Sequence, residues 1–250
     1  MRWIVTGGCG FVGSALRETL EGSENIDIKD RNDIRNAVCH GDILVNLAAI
    51  SGIQACDNTP DTAISTNVYG AYHVARQPFK RRLMASSCAP PIHLYGRTKN
   101  AMETLCGGLS DAVMMRFANI YGPGSENKTS CVAKWCQSAL NEGKIVVHGD
   151  GLQKRDFIYI DDVVSAIHIL AESKVTGVIP VCTGHQTRII EVARTISQLT
   201  GARITYSGQY GGGDSTEQSP WALNNLGWTY SVDIHENIRK TLDYFHEKAA

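Results

Sequence analysis

The chain has 250 residues, with 24 Lys and Arg against 25 Asp and Glu and a formal charge of -1. That balance excludes a nucleic-acid-binding or acidic-membrane surface, and the length suffices for one large domain or two small ones. The longest apolar run, 42–50, is far too short to span a bilayer, no leader is visible, and the eight cysteines form no Cys-x-x-Cys pair, so they read as reduced thiols of a cytoplasmic protein.

In chain order, Trp3-Ile4-Val5 reads as a short buried strand, and Thr6-Gly7-Gly8-Cys9-Gly10-Phe11-Val12-Gly13 turns into a helix over 14–20. Gly7 permits the tight turn, Gly10 lets backbone approach a pyrophosphate, and Gly13 lets the helix pack on the strand. The phosphates of a nicotinamide dinucleotide would rest on the amides of Phe11 and Val12 at the helix N-terminus.

Residues 25–28 read as the second strand. Asp27 or Asp30 offers a carboxylate to the adenosine ribose, roughly 20 residues after the glycines; Asp30 equally serves as N-cap of a helix running to about His40. Lys29 and Arg31 would instead suit a 2'-phosphate, so NAD is expected, with NADP as the alternative. A strand over 43–49 ends in Leu47-Ala48-Ala49, small residues where a flat dinucleotide could pass close to backbone or which simply pack. Asn67, on the following helix, either braces the next strand or supports a proton relay through Lys99.

Residues 83–85 lead into Ser86-Ser87-Cys88, and Tyr95 follows with Lys99 four residues later. On a helix that spacing puts phenol and ammonium on one face. The ammonium is expected to pull the phenol pKa down from about 10 towards neutrality. The pair would then take a proton from a sugar or alcohol hydroxyl whose oxygen a serine holds.

Strands alternate with helices up to about Phe117. The fold class is therefore α/β: a doubly wound, mainly parallel Rossmann sheet with a smaller C-terminal substrate lobe. Residues 1–123 form the dinucleotide-binding domain, 157–183 return to its sheet, and 124–156 with 184–250 form the substrate lobe. Within that lobe 130–141 and 232–248 read as helices, and the rest beyond 202 mostly as loops.

Several motifs occur in a fixed order: Thr6-Gly7-x-x-Gly10-x-x-Gly13, Leu47-Ala48-Ala49, Asn67-Val68-x-Gly70, Ala85-Ser86-Ser87 and Pro91-x-x-x-Tyr95-Gly96-x-Thr98-Lys99-x-x-x-Glu103. They continue with Arg116-Phe117-Ala118-Asn119-Ile120-Tyr121-Gly122-Pro123-Gly124, then Gly149-Asp150-Gly151-x-Gln153-x-Arg155-Asp156-Phe157-x-Tyr159-x-Asp161-Asp162, and Leu226-Gly227-Trp228. Over nearly its whole length the chain resembles an extended short-chain dehydrogenase/reductase of the NAD-dependent epimerase/dehydratase family, and UDP-sugar 4-epimerases most of all.

The resemblance implies that Ser87, or Ser86 if the alignment slips by one, binds the sugar oxygen. It makes Tyr95 the base and Lys99 its partner, which also binds the nicotinamide ribose. Asn119 would hold the nucleotide phosphates and Arg155 would clamp the diphosphate, an ion pair with Asp156 being its alternative. Relatives dimerise through helices matching 60–77 and 97–108, so a homodimer is expected.

The chain departs from the family in three places. The stretch from Gly13 to Asp27 is short, the loop between Ser87 and Tyr95 is mostly missing, and 211–220 lacks an arginine that relatives bring to the diphosphate. Dehydratases and decarboxylases of the family carry an acidic residue where this chain has Cys88 and Ala89. GDP-fucose synthases need a histidine where it has Cys131, which reads rather as a buried thiol. The implied reaction is 4-epimerisation of a nucleotide sugar, UDP-linked for preference, through transient hydride transfer to NAD. The alternatives are an NADP-dependent reductase of 4-keto nucleotide sugars and a dinucleotide-binding protein that turns over little or nothing.

Overall fold

The computed structural model describes residues 2–21, 24–26, 42–208 and 214–249. Asp27 and Asp30, with Lys29 and Arg31, lie outside these described residues. The chain runs β1 (Trp3–Thr6), α1 (Phe11–Glu18), β2 (Glu24–Ile26), β3 (Ile43–Asn46), α2 (Ile53–Asn58) and α3 (Pro60–Ile64). A π-helical segment (Ser65–Gly70) leads into α4 (Ala71–Ala75), β4 (Arg81–Ser87), α5 (Leu94–Cys106) and β5 (Ala112–Phe117). Then come β6 (Asn119–Tyr121), α6 (Cys131–Glu142), β7 (Lys144–His148), β8 (Lys154–Arg155), β9 (Phe157–Tyr159) and α7 (Ile160–Glu172). The last elements are β10 (Gly177–Val181), β11 (Thr187–Arg188), α8 (Ile189–Thr200), β12 (Arg203–Ser207), α9 (Trp221–Asn224) and α10 (Ile234–Ala249).

Two compact units result, one from 1–117, 163–181 and 220–228, the other from 118–162, 182–219 and 229–250. The first is a six-stranded sheet in the order β10-β5-β4-β3-β1-β2 with every pairing parallel. Parallel strands covered on both faces read as continuous apolar runs, not alternating ones. Accordingly Ile4, Val5, Leu44, Val45, Leu83, Met84, Val113 and Met114 are all wholly buried. On one face Ile4, Leu44, Met84 and Met114 pack with Ala71, Val74, Met102 and Cys106 from the helices. Of the stretch 157–183, the strand that joins this sheet is β10, whereas β9 pairs with β6.

β1 has β2 on one side and β3 on the other, so the strand order reverses beside β1, the switch point at whose carboxyl ends sheets of this kind bind ligands. The amino ends are fastened instead. Buried Arg81 donates to the carbonyls of Leu170 at 2.7 Å and Val175 at 2.6 Å, and Arg82 to those of Ala75 at 2.6 Å and Gln77 at 2.7 Å. Trp228, 3% exposed, donates its indole N–H to Ser165 at 3.0 Å.

In the second unit β7 pairs parallel with β12, β6 parallel with β9, and β8 antiparallel with β11. The stretch beyond 202, expected to be mostly loop, contributes β12 because it has β7 to pair with. α6 ends at Gly143 in the left-handed region at φ 61°, and its Trp135 donates to the Val146 carbonyl at 2.8 Å. α10 buries Ile238, Leu242 and Phe245 along one stripe. Among the described residues no helix is long and apolar enough to cross a membrane.

Candidate active site

Glycine is required twice in the turn after β1 for steric reasons. Gly7 sits at φ +69°, and a Cβ there would lie 2.7 Å from the Ala48 amide nitrogen. A Cβ on Gly13 would lie 2.2 Å from the Gly7 carbonyl oxygen, so this glycine lets α1 close onto its own turn. Gly10 is different: a Cβ would meet only the Gly7 oxygen, at 3.2 Å. No side chain caps α1, which leaves the amide end at Phe11 and Val12 to backbone alone. This arrangement fits a dinucleotide phosphate.

Leu47, Ala48 and Ala49 leave β3 half-buried beside that turn. Buried Thr6 joins the two strand ends, giving its hydroxyl proton to Asn46 at 2.5 Å while its carbonyl accepts from the Leu47 amide at 3.0 Å.

At the end of β4 successive side chains alternate in direction, and the two candidate serines part company. Ser86 is buried and donates to Glu103 Oε1 at 2.5 Å. Ser87 Oγ accepts from the Ala89 amide at 3.1 Å and lies near enough to the Tyr95 phenol to lower its pKa. Of the two serines Ser87 is the one beside Tyr95, and Ser86 is engaged by Glu103. Lys99, 5% exposed, donates its ammonium proton to the Ala85 carbonyl at 2.8 Å.

The expected depression of the phenol pKa is not found. Burial pushes Tyr95 up, the nearby Ser87 hydroxyl pulls it down, and Cys56 and Cys88 push it up further. No carboxylate is among the groups that act on it. Cys88 donates its thiol to the Arg116 carbonyl at 3.3 Å.

Asn67 is 1% exposed and clamps backbone. Its Oδ1 accepts from the Ile50 amide at 2.8 Å, and its Nδ2 donates to the Ile50 carbonyl at 3.0 Å and to Thr98 Oγ1 at 3.1 Å. Thr98 in turn donates to the Tyr95 carbonyl at 2.8 Å. Asn67 thus ties the loop after β3 to the first turn of α5. These contacts are those of a brace, made to a loop and a helix and not to the next strand.

Asn119 and Arg155 belong to the second unit and line one cavity there, of about 220 Å³, with Ile120, Ser130, Cys131, Val132, Phe157 and Ile189. Asn119 donates its main-chain and side-chain N–H to the Asp156 carbonyl, at 2.9 and 3.0 Å. The Asp156 carboxylate is taken by Thr183 Oγ1 at 2.9 Å and the Gly184 amide at 2.7 Å. It is thereby committed elsewhere than to Arg155. Burial pushes Cys131 up to about 11, with Arg155 working the other way, which makes it an inert thiol at neutral pH.

Four participants escaped the sequence reading. Glu103 and Arg116 sit inside quoted motifs but were given no role, because their meaning lies in a contact between α5 and β5. Gly96 carried a detectable signal as a glycine inside a helix: a Cβ there would lie 2.2 Å from the Pro90 carbonyl, so the short loop is laid directly on α5. Ser130, the N-cap of α6, keeps its hydroxyl buried beside Asn119 and Arg155.

The sequence model of the NAD dependent epimerase/dehydratase family matches residues 3–182. The UDP-N-acetyl-alpha-D-glucosaminuronate decarboxylase of Bacillus cytotoxicus is 28% identical over 80% of this chain and 80% of its own. Among solved structures, MoeE5 in complex with UDP-glucose and NAD superposes with a TM-score of 0.87 at 24% identity, covering all of both chains. The UDP-glucose 4-epimerase of Thermotoga maritima with UDP-glucose does so with a TM-score of 0.90 at 22% identity, again over both whole chains. At these identities the two structures establish the fold.

Proposed function

Because the chain belongs to the NAD-dependent epimerase/dehydratase family, whose relatives convert nucleotide sugars, we propose that it is a nucleotide-sugar 4-epimerase. Its cofactor is NAD, and a UDP-sugar is the preferred substrate. The observation that carries this reading is the Ser87 hydroxyl at the end of β4 acting on the Tyr95 phenol, with a thiol and an alanine next in the chain and no carboxylate acting on the phenol. By the resemblance, dehydratases and decarboxylases of the family carry an acidic residue at that place, whereas epimerisation at C4 needs only one proton acceptor and its reversal.

Gly7, Gly10, Phe11, Val12 and Gly13 would hold the cofactor phosphates, with Leu47, Ala48 and Ala49 alongside. Bound NAD supplies a reversible hydride acceptor and, oxidised, a positive charge. Ser87 holds the sugar C4 oxygen. Tyr95 takes the proton from that oxygen as the 4-ketone forms and returns it after the sugar has turned its other face. Lys99 fixes α5 against β4 through Ala85 and brings positive charge to the floor of the site. In the second unit Asn119 and Arg155 bind the nucleotide part; a cavity of about 220 Å³ is smaller than most whole-ligand pockets and suits one portion of the substrate. Exposed Tyr69 and Leu105, at 68% and 44%, lie on the two helical stretches that would pair in a homodimer.

The test is direct. Purified protein with NAD should interconvert UDP-glucose and UDP-galactose, or their N-acetylated forms, with no net change in cofactor redox state. Release of carbon dioxide from UDP-glucuronate, or of a 4-keto-6-deoxy product, would replace the epimerase reading.

A further inference from the structure

The geometry points to Glu103 as the positioning residue that sets Ser87 against Tyr95, acting through a buried junction of one carboxylate with Ser86 and Arg116. This inference rests on the reading of Ser87 and Tyr95 as the reacting pair.

Three segments must keep register for that pair to meet: the end of β4, the first turns of α5 and the end of β5. Glu103 joins all three. It stands on α5 four residues beyond Lys99 and eight beyond Tyr95, so the three side chains follow one another along a helix face. Its Oε1 accepts from Ser86, the residue before Ser87, at 2.5 Å, and from Arg116 Nε at 2.8 Å. Its Oε2 accepts from Arg116 Nη2 at 2.6 Å. Arg116 passes the constraint on, because its carbonyl accepts the Cys88 thiol at 3.3 Å, and the Cys88 amide bonds to the Phe117 carbonyl at 3.0 Å. Ser87 is therefore gripped from the residue before it and from the residue after it.

The chemistry of the junction suits this task. Glu103 is 8% exposed and forms a two-point, charge-assisted bond to Arg116, whose fork fixes angle as well as distance. Ser86 and Ser87 point to opposite sides of β4, so a twist of the strand that releases Ser86 from Glu103 also turns Ser87 away from Tyr95. Lys99 anchors the same strand one residue earlier, at the Ala85 carbonyl. The junction touches neither the glycine turn nor the second-unit cavity lining, and its loss should register in the chemical step alone.

The experiment uses the NAD-loaded protein and Glu103→Gln, with Tyr95→Phe as reference. Glu103→Gln is expected to lower kcat about 10–100-fold, the cost of a misplaced reacting group, with nucleotide-sugar KM and NAD Kd within about threefold. The midpoint of the rise of kcat/KM with pH should move upward, because Tyr95 loses the nearby Ser87 hydroxyl that favours its ionised form. If Glu103→Gln does not fold, Arg116→Lys, which keeps the charge and loses the fork, is read by the same three measurements. An unchanged kcat overturns the inference, as does a parallel loss of kcat, substrate affinity and NAD affinity without movement of the pH midpoint. If Tyr95→Phe keeps full activity, the assignment of the reacting pair fails first; if only Glu103→Gln does, that assignment stands and the junction is purely structural.

Discussion

A Cβ on Gly13 would lie 2.2 Å from the carbonyl oxygen of Gly7, whereas one on Gly10 would lie 3.2 Å from the same atom. Two glycines of one motif therefore have separable jobs. Gly13→Ala should cost about 3 kcal/mol of stability by forcing α1 off its turn, and NAD binding should be lost with it. Gly10→Ala, at φ -83°, suits the backbone; stability should stay within about 1 kcal/mol while NAD affinity falls about tenfold or more as the methyl blocks the phosphate path. Thermal unfolding and calorimetric titration with NAD separate the two effects. Equal losses of stability would contradict the assignment.

The two adjacent serines make an opposite pair. Ser87→Ala should lower kcat by about 10²-fold or more, and Tyr95→Phe should abolish turnover while leaving nucleotide-sugar affinity within a few-fold. Ser86→Ala removes one of the bonds at Glu103 and should cost about tenfold at most, since Arg116 still holds the carboxylate. Steady-state kinetics of the three variants rank them. A Ser86 variant as damaged as the Ser87 variant would show that the strand direction at this point is misread.

This pair also marks how far the primary structure could be read. The glycine turn, the buried strands and the Tyr95–Lys99 helix were legible because each rests on local rules: a steric need, an unbroken apolar run, a four-residue spacing. Which serine faces Tyr95 was not legible, since a one-residue slip in a strand reverses the face and nothing local fixes the register. Nor was the sign of the Tyr95 shift, because spacing brings an ammonium near but says nothing about how deeply the ring is embedded or that the ammonium reaches the Ala85 carbonyl. The bland alternative for Arg155, an ion pair with Asp156, could be judged only once Thr183 and Gly184 were seen to occupy that carboxylate.

Arg155 is accordingly predicted to act on binding. Arg155→Ala should raise the nucleotide-sugar KM by about 10–100-fold, as expected for loss of a charge-assisted contact to a diphosphate, with kcat within a few-fold. Titration with UDP alone should show the same loss of affinity, because UDP lacks the sugar yet keeps the phosphates. An effect confined to kcat would remove Arg155 from substrate binding and point to a role in holding β8.

Asp162 gives the stability a definite dependence on pH. Its carboxyl accepts from the Ser231 amide at 3.1 Å, and burial, assisted by Asp161, pushes its pKa from 3.8 up to about 6. A carboxyl whose folded pKa is raised binds its proton more tightly in the folded chain than in the unfolded one. Stability from this group is therefore greatest at low pH, declines as pH rises from about 4 to 6, and stays reduced above. The full swing is about 1–3 kcal/mol. Asp162→Asn keeps an oxygen for the Ser231 amide and removes the charge. It should be more stable than the parent at pH 8 and close to it at pH 4, so the difference between the two unfolding free energies should grow through that window. Denaturant melts of both proteins from pH 4 to 8 measure it. A constant difference would mean that the carboxyl is not burdened by its burial, and that Ser231 with the surrounding solvent satisfies the charged form in full.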